Sequence, residues 1–517
     1  MIDGSSGTEA ALVPPTTLMR ARRLAARPGW MPVAIPRTAV SAMAFLALAL
    51  MIRAMQLGNP VIHVDEEFYL LVARRWSEGA LPFVDIWDRK PIGLFLLYRF
   101  FLLFPGDGVV TYQLFGIAAT AGTALVIERM ARELASPAGA FLAGIAYILF
   151  LPAFSFGAGQ GPVFYNLPVA LAALGAMQAF RRPDANDLTR RGVPVMLLLG
   201  LAIQIKYTVI FEGAALGLLL LARGWSDAWP WRRLLATAAL WCGIALAPTL
   251  LVLGAYAAMG HGDAFIQANF VSILARRSDG YRSWVRLAKE AAALIPFWLA
   301  IFHAGRKLAP RRGIDARAEL ALRTWAVAAV LGFLVFGTWY DHYVAPMLPP
   351  LAVLAAPALG RSAPGEQWYA RLLLGFGAIA GVVVMIVQIG IQGTTAQAEH
   401  VTNEIRRELH GGCLFPFDGA PAFYSMTGSC IATRYAFPNH LNTWIEAGAL
   451  GTDPAAEVRR IMRSRPDVVV IAEWKELYLP NWQTRRIVLA SLAQGYEHYA
   501  SVQLGHKQYG LWRRRKA

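Results

Sequence analysis

Charge is what this chain has least of. Only 16% of its 517 residues are Asp, Glu, Lys or Arg, against about 25% in a typical soluble domain, while 56% are hydrophobic and mean hydropathy is +0.43. That balance excludes an ordinary soluble globular protein and predicts a mainly α, polytopic membrane protein. Acid is the scarcer sign, with 33 Asp and Glu against 49 Lys and Arg and a formal charge of +16. In a soluble protein this excess would raise the question of nucleic acid. In a membrane protein it marks cytoplasmic loops, where Lys and Arg orient the spans, so no nucleic-acid partner is expected. Of only three cysteines, Cys242 lies in an apolar run and acts as a small hydrophobe. Cys413 and Cys430 lie in the hydrophilic tail, where a disulfide is open to them if that tail faces an oxidising compartment. No internal repeat or low-complexity tract is evident. The glycine-rich stretch Gly157-Ala-Gly-Gln-Gly-Pro162 lacks the strand-loop-helix context and Lys-Ser/Thr ending of a nucleotide-binding loop. It reads as a turn between spans, with Gln160 and Asn166 as candidates to line an acceptor cavity.

What is present is a series of about eleven apolar runs, near 38–57, 109–127, 138–153, 163–180, 193–207, 208–222, 233–258, 286–303, 321–338, 343–359 and 370–393. Residues 1–37 are polar and Arg-rich, longer than a signal-peptide n-region, so they read as a disordered cytoplasmic tail before an uncleaved signal anchor. Met19 and Met31 are alternative starts. Basic residues then cluster at alternate connections, among them Arg129 and Arg132, Arg181 to Arg191, Arg223 to Arg233, and Arg306 to Arg323. The positive-inside rule makes these cytoplasmic and places the tail from 394 onward outside. The expected division is a membrane core over 38–393, with a first outer loop at 58–108, and an extracytoplasmic domain over 394–517. In that tail, helix-like stretches at 396–409, 454–465 and 484–494 alternate with β-rich runs at 467–471, 496–502 and 508–513, the pattern of a small α/β domain.

The first outer loop breaks the scarcity of charge. Asp65, Glu66, Glu67, Asp85 and Asp88 stand beside Arg89 and Lys90. Ionisable groups near the hydrocarbon boundary persist where they pair or handle a charged substrate. Arg74, Arg75, Arg99, Lys206, Arg276, Arg277, Arg282 and Arg286 also fall on the outer side by this topology, against the orientation rule. Such a cluster suits an anion at the outer membrane face, and a lipid phosphate is the natural one.

Asp65-Glu66 with the amphipathic run to Gly79, then Leu81-Pro82-Phe83-Val84-Asp85 and Asp88-Arg89-Lys90-Pro91, resembles the GT-C superfamily of polyprenyl-phosphate-sugar-dependent glycosyltransferases. The nearest branch is the protein-O-mannosyltransferase-like one that includes the bacterial lipid A aminoarabinose transferases. Gly200 to Lys206 with Tyr207-Thr208, Asp341-His342-Tyr343 running into Pro346 and Pro349-Pro350, and the plan of a many-span core with an outer C-terminal domain extend the resemblance over most of the chain. One departure stands out. Where the aminoarabinose transferases have Glu-Lys-Pro, this chain reads Arg89-Lys90-Pro91, which adds positive charge beside the phosphate-binding lysine and leaves the donor sugar open.

The resemblance implies an inverting transferase at the periplasmic face of a bacterial inner membrane. It would move a hexose or pentose from a polyprenyl phosphate to lipid A, a polysaccharide, a glycolipid or a protein. Phosphate is already a weakly basic leaving group, so such a site needs a base for the acceptor and cations for the departing phosphate. Asp65 is the candidate base, and a helix cap for residues 66–78 is its other reading. Glu66 would orient Asp65 or help Asp65 hold a divalent metal ion, or it is simply an acid favoured by a helix start. Lys90 is the first candidate for the phosphate, near a helix begun by Pro91, and Arg89 the second. Asp85 and Asp88 would pair with these cations or touch the acceptor. Lys206 would reach the same phosphate or snorkel. His342 would donate to phosphate, and Tyr343 would lie near it or serve as an interfacial anchor. Arg276 and Arg277 are unassigned. The competing class, a flippase for a lipid-linked saccharide, would favour midplane charges and repeat-like halves. Here charge gathers at one face and the halves are unalike.

Overall fold

The structure, a computed structural model, describes residues 36–277, 279–307, 315–335, 337–361, 365–473 and 479–516. The expected N-terminal tail lies outside the described residues up to position 35. Among the described residues each of the eleven apolar runs falls mainly on helix. Eight helices among the described residues are long and apolar enough to cross a membrane: Arg37–Gln56, Val109–Ala131, Gly161–Phe180, Val209–Ser226, Trp231–Ala258, Ala316–Val335, Asp341–Leu359 and Trp368–Arg407. Pro137–Ala153 is a shorter apolar helix of the same bundle, and Leu188–Ile203 packs against Gly161–Phe180 and Trp231–Ala258. The run at 286–303 divides into Tyr281–Ala293 and Ile295–Lys307.

Local chemistry sets the helix starts. Ser136 accepts a hydrogen bond from the Gly139 amide with Pro137 at the first helical position, and Thr394 and Gln397 close a capping box on Thr395–Arg407. Small residues let elements approach closely. A Cβ on Gly116 would lie 1.7 Å from the Ala158 carbonyl oxygen, so only glycine lets Val109–Ala131 meet the turn before Gly161–Phe180.

The basic connections converge at one end of the bundle. Arg181 pairs with Glu133 at 2.8 Å and Asp315 at 2.5 Å, and Arg223 and Arg317 donate to the Arg182 carbonyl at 3.3 and 3.0 Å. Leu188–Ile203 starts at that end and delivers Lys206 to the other.

The tail forms a small C-terminal sheet domain. Its five strands are β1 (Cys413–Pro416), β2 (Cys430–Ile431), β3 (Val468–Ala472), β4 (Tyr496–Leu504) and β5 (Lys507–Arg514), in the order β2-β1-β3-β5-β4. The β2-β1-β3 half is parallel, with Leu414 opposite Val468, and the β3-β5-β4 half is antiparallel, with Val470 opposite Leu511. Val468-Val-Val-Ile-Ala472 is central and buried throughout, which explains its unbroken apolar run. The three strand-like and three helix-like stretches of the tail are present, with helices Thr395–Arg407, Pro454–Arg463 and Trp482–Gly495. A disulfide between Cys413 and Cys430 ties β1 to β2.

Two apolar cores result. One fills the bundle. The other joins the first loop to the sheet domain, packing Phe68, Phe83, Phe95 and Tyr98 with Leu414, Val469 and Phe423. Polar contacts lock that junction: the Trp87 amide donates to the Arg434 carbonyl at 2.8 Å, and the Ala422 amide donates to Glu67 at 3.2 Å.

Candidate active site

A cavity of about 1120 Å³ opens between the first loop, the bundle and the sheet domain. Asp65, Asp88, Arg89, Lys90, Lys206, His342 and Tyr343 all line it. Part of its lining is apolar, from Leu246, Leu250 and Leu253 of Trp231–Ala258 and Val383, Val387 and Ile391 of Trp368–Gln392.

Asp65 stands in the first turn of Val64–Ser77, whose cap residue is His63, and no side chain caps the helix. The capping role is therefore not what Asp65 does. Its Oδ2 accepts from Gln160 Nε2 at 3.2 Å, and the same amide lies 2.8 Å from His63 Nδ1. Burial acts to raise the Asp65 carboxyl, but Lys90, then His63 and His342, and the Gln160 hydrogen bond outweigh it. Asp65 is held ionised, well below the ordinary carboxylate range.

Lys90 precedes Pro91, which caps Ile92–Phe101, and its ammonium lies 5.7 Å from the Tyr69 ring centroid. Lys206 Nζ sits 4.2 Å from the Tyr343 ring centroid. Burial, reinforced by Lys90, pushes Lys206 down to about 7. Neither lysine has an ion-pair partner among the described residues. His342 and Tyr343 belong to a short 3-10 turn, Asp341–Tyr343, rather than to the helix itself, and their rings meet edge to face at 4.7 Å. Asp88 accepts from the Arg89 amide at 2.7 Å, and burial pushes its carboxyl up to about 6 against the pull of Lys90 and Arg89.

Two residues expected at the site are elsewhere. Asp85 is exposed and accepts from the Leu81 amide at 2.7 Å, closing its own turn rather than reaching the cavity. Glu66 is 0% exposed and points away from the cavity, toward the 157–159 backbone and Tyr112. A Cβ on Gly157 would lie 1.9 Å from Glu66 Oε1, and one on Gly159 would lie 2.4 Å from the Tyr98 hydroxyl. The glycines that resemble a phosphate loop are there to let these side chains pack. Gly159 and Tyr112 are polar neighbours of Glu66, but neither oxygen completes a hydrogen bond of good geometry. Burial accordingly pushes its acid up to about 8, so it is neutral at neutral pH. Asp65 and Glu66 therefore do not present two carboxylates to one point. Among the described residues no group of three or more His, Cys, Asp and Glu side chains converges on a metal position. This pair does not fit a divalent cation.

Gln160 and Asn166, read in the sequence as candidates to line an acceptor cavity, are not among the residues lining this one, and Glu446, which does line it, went unread. Gln160 belongs to the glycine-rich turn and reaches Asp65 because that turn folds over Glu66. Asn166 is buried, donating to the Ala345 carbonyl at 3.1 Å. Glu446 comes from the sheet domain. It receives both terminal nitrogens of Arg89, one at 2.9 Å, and pairs with Arg276 at 3.0 Å. Burial would raise the Glu446 carboxyl, but Arg89 and Arg276 hold it down at about 2. Nothing near position 446 signals this, because its partner lies 357 residues away.

Comparison with known proteins yields no matching family model and no matching curated protein. Solved structures do match. ArnT from Cupriavidus metallidurans bound to undecaprenyl phosphate superposes with a TM-score of 0.62 at 18% identity, covering 91% of this chain and 97% of that one. The apo form of the same protein gives 0.60 at 16% identity, covering 92% and 98%. The Archaeoglobus fulgidus oligosaccharyltransferase tethered to an acceptor peptide gives 0.53 at 12% identity, covering 93% and 74%. These are GT-C superfamily membrane proteins, and this chain has their fold.

Proposed function

We propose that the protein is an inverting glycosyltransferase that moves a sugar from a polyprenyl phosphate to an acceptor at the periplasmic face of a bacterial inner membrane. The observation that carries this reading is the convergence of ionised Asp65 with Lys90 and Lys206, the only cations lining the cavity that lack a carboxylate partner among the described residues. In the reaction, the acceptor hydroxyl oxygen attacks the anomeric carbon from the face opposite the phosphate. The carbon–oxygen bond to phosphate breaks, the configuration inverts, and the hydroxyl proton passes to Asp65. Negative charge grows on the departing phosphate, where Lys90, Lys206 and His342 would receive it. Donor binding also readies the base. An anion beside Lys90 offsets the main influence holding Asp65 down, so its proton affinity rises when it is needed. The apolar trough between Trp231–Ala258 and Trp368–Gln392 suits the polyprenyl chain.

Orientation follows the charges. The basic end of the bundle, around Arg181, Arg223 and Arg317, fits the cytoplasm, which puts the cavity outside, and the Cys413–Cys430 disulfide suits an oxidising exterior. The proposed division is a membrane core over 38–393 and a periplasmic domain over 394–517. The acceptor classes in view are lipid A, polysaccharide, glycolipid and protein.

The test is radiolabelled sugar transfer from polyprenyl-phosphate donors in membranes expressing the wild type, Asp65→Asn and Lys90→Ala. Donor-dependent transfer lost in both variants is the expected result. Transfer unaffected by either substitution would overturn the assignment.

A further inference from the structure

The sheet-domain wall of the cavity has its arginines paired with carboxylate but leaves three of its polar nitrogens without a hydrogen-bond partner. Arg89 and Arg276 share Glu446, and the Asp88 carboxylate, which accepts from the Arg89 backbone amide, adds a second negative group nearby. Yet Arg89 Nε, Arg276 Nε and His440 Nδ1 are buried with no hydrogen-bond partner. Buried polar atoms in folded proteins are almost always paired, so three orphans on one wall call for a ligand rich in oxygen. Its charge is set by the rest of the lining. Six cations (Arg89, Lys90, Lys206, Arg276, Arg286 and Lys289) face four carboxylates (Asp65, Asp88, Asp341 and Glu446), Asp279 behind Arg286 is a fifth, and Glu290 behind Lys289 is kept protonated by burial, which pushes it up to about 8, leaving a surplus of one cation among the described residues. One phosphodiester uses that surplus. A second phosphate would have to displace Glu446 from both arginines.

We infer that the wall formed by Arg89, Arg276, His440, Asn439 and Thr443 is the acceptor subsite, and that it takes a neutral, hydroxyl-bearing saccharide rather than a phosphorylated group. Burial keeps His440 uncharged, pushing it down to about 3, so it adds hydrogen-bonding capacity without charge. Asn439 and Thr443 line the same wall and are likewise neutral. An alcohol is also the acceptor that needs Asp65, since a phosphate arrives ionised and requires no base. The inference rests on the glycosyltransferase reading. Glu446 becomes the specificity-determining residue, an internal carboxylate in the place a second phosphate would occupy.

The test uses the full-length protein in nanodiscs saturated with farnesyl phosphate, with equilibrium binding of octyl β-glucoside and octyl β-glucoside 6-phosphate. The expected result is that wild type binds the neutral glucoside at least about tenfold more tightly, and that Glu446→Gln improves the phosphorylated probe by about tenfold or more. Glu446→Asp, which keeps the charge, should retain the wild-type preference and so separates charge from folding. Wild type that binds the phosphorylated probe equally well, or neither probe, overturns the inference, as does a folded Glu446→Gln with unchanged preference. Failure of farnesyl phosphate to bind, or binding indifferent to Lys90→Ala, is a separate result that overturns the donor reading.

Discussion

Two pairs of cations line one cavity. Lys90 and Lys206 lie against aromatic faces with no ion pair among the described residues, whereas Arg89 and Arg276 are locked on Glu446. The difference shows that a basic residue in a pocket is not yet an anion site. A paired arginine keeps its geometry and loses its free charge, while an unpaired lysine keeps its demand for an anion, and at Lys206 burial makes that cation titratable. The same lesson holds for the three consecutive acids. Asp65 faces the cavity, Glu66 the bundle and Glu67 the sheet domain, and burial raises both glutamates to about 8 while Asp65 stays ionised.

Breaking the reactive pole of this contrast should have the largest effect. Asp65→Asn is expected to lower turnover by about 10³-fold while leaving polyprenyl-phosphate binding intact, measured by transfer rate and equilibrium binding in parallel. Lys90→Ala should cost about 10²-fold in kcat/KM through loss of the cation at the departing phosphate. Lys206 gives the contrast a pH signature. Below about 7 its ammonium is already present, and above that the site must take up a proton to bind phosphate. Donor affinity should therefore weaken by up to about tenfold per pH unit above neutrality, and Lys206→Arg, charged at every pH used, should flatten the curve.

Glu66 sharpens the comparison through stability. Its folded pKa of about 8 exceeds the ordinary 4.5, so between those values the folded state holds a proton that the unfolded state has released. Stability must fall as pH rises through that window, by at most about 1.4 kcal/mol per unit from this group. Glu66→Gln removes that dependence, and denaturation midpoints at pH 5 and pH 8 should lie closer together in the variant than in wild type. Asp85→Asn should have the smallest effect, changing transfer by less than about twofold, since Asp85 closes an exposed turn.

The spans, the tail's alternating helices and strands, and the first loop's position were legible because hydropathy and periodicity are local properties of the chain. Strands β1 and β2, four and two residues long, were too short to leave such a pattern. Among the residues that line the cavity, Lys90 and Lys206 were legible from cations placed against the orientation rule, Asp65 and Asp88 from the density of acid on the first loop, and His342 and Tyr343 from the resemblance. Asp85 and Glu66 were misread for one reason: composition reports that an acid is present, and the backbone decides which way it points.

By itself, then, the sequence determined that this is a many-span membrane protein with a small α/β tail, and where its unusual charges lie along the chain. Tertiary structure alone decided which of those charges stay free. Pairing depends on where distant segments meet, as when Glu446 closes on Arg89 across 357 residues, and burial then sets protonation through the loss of hydration that each side chain suffers where it lands.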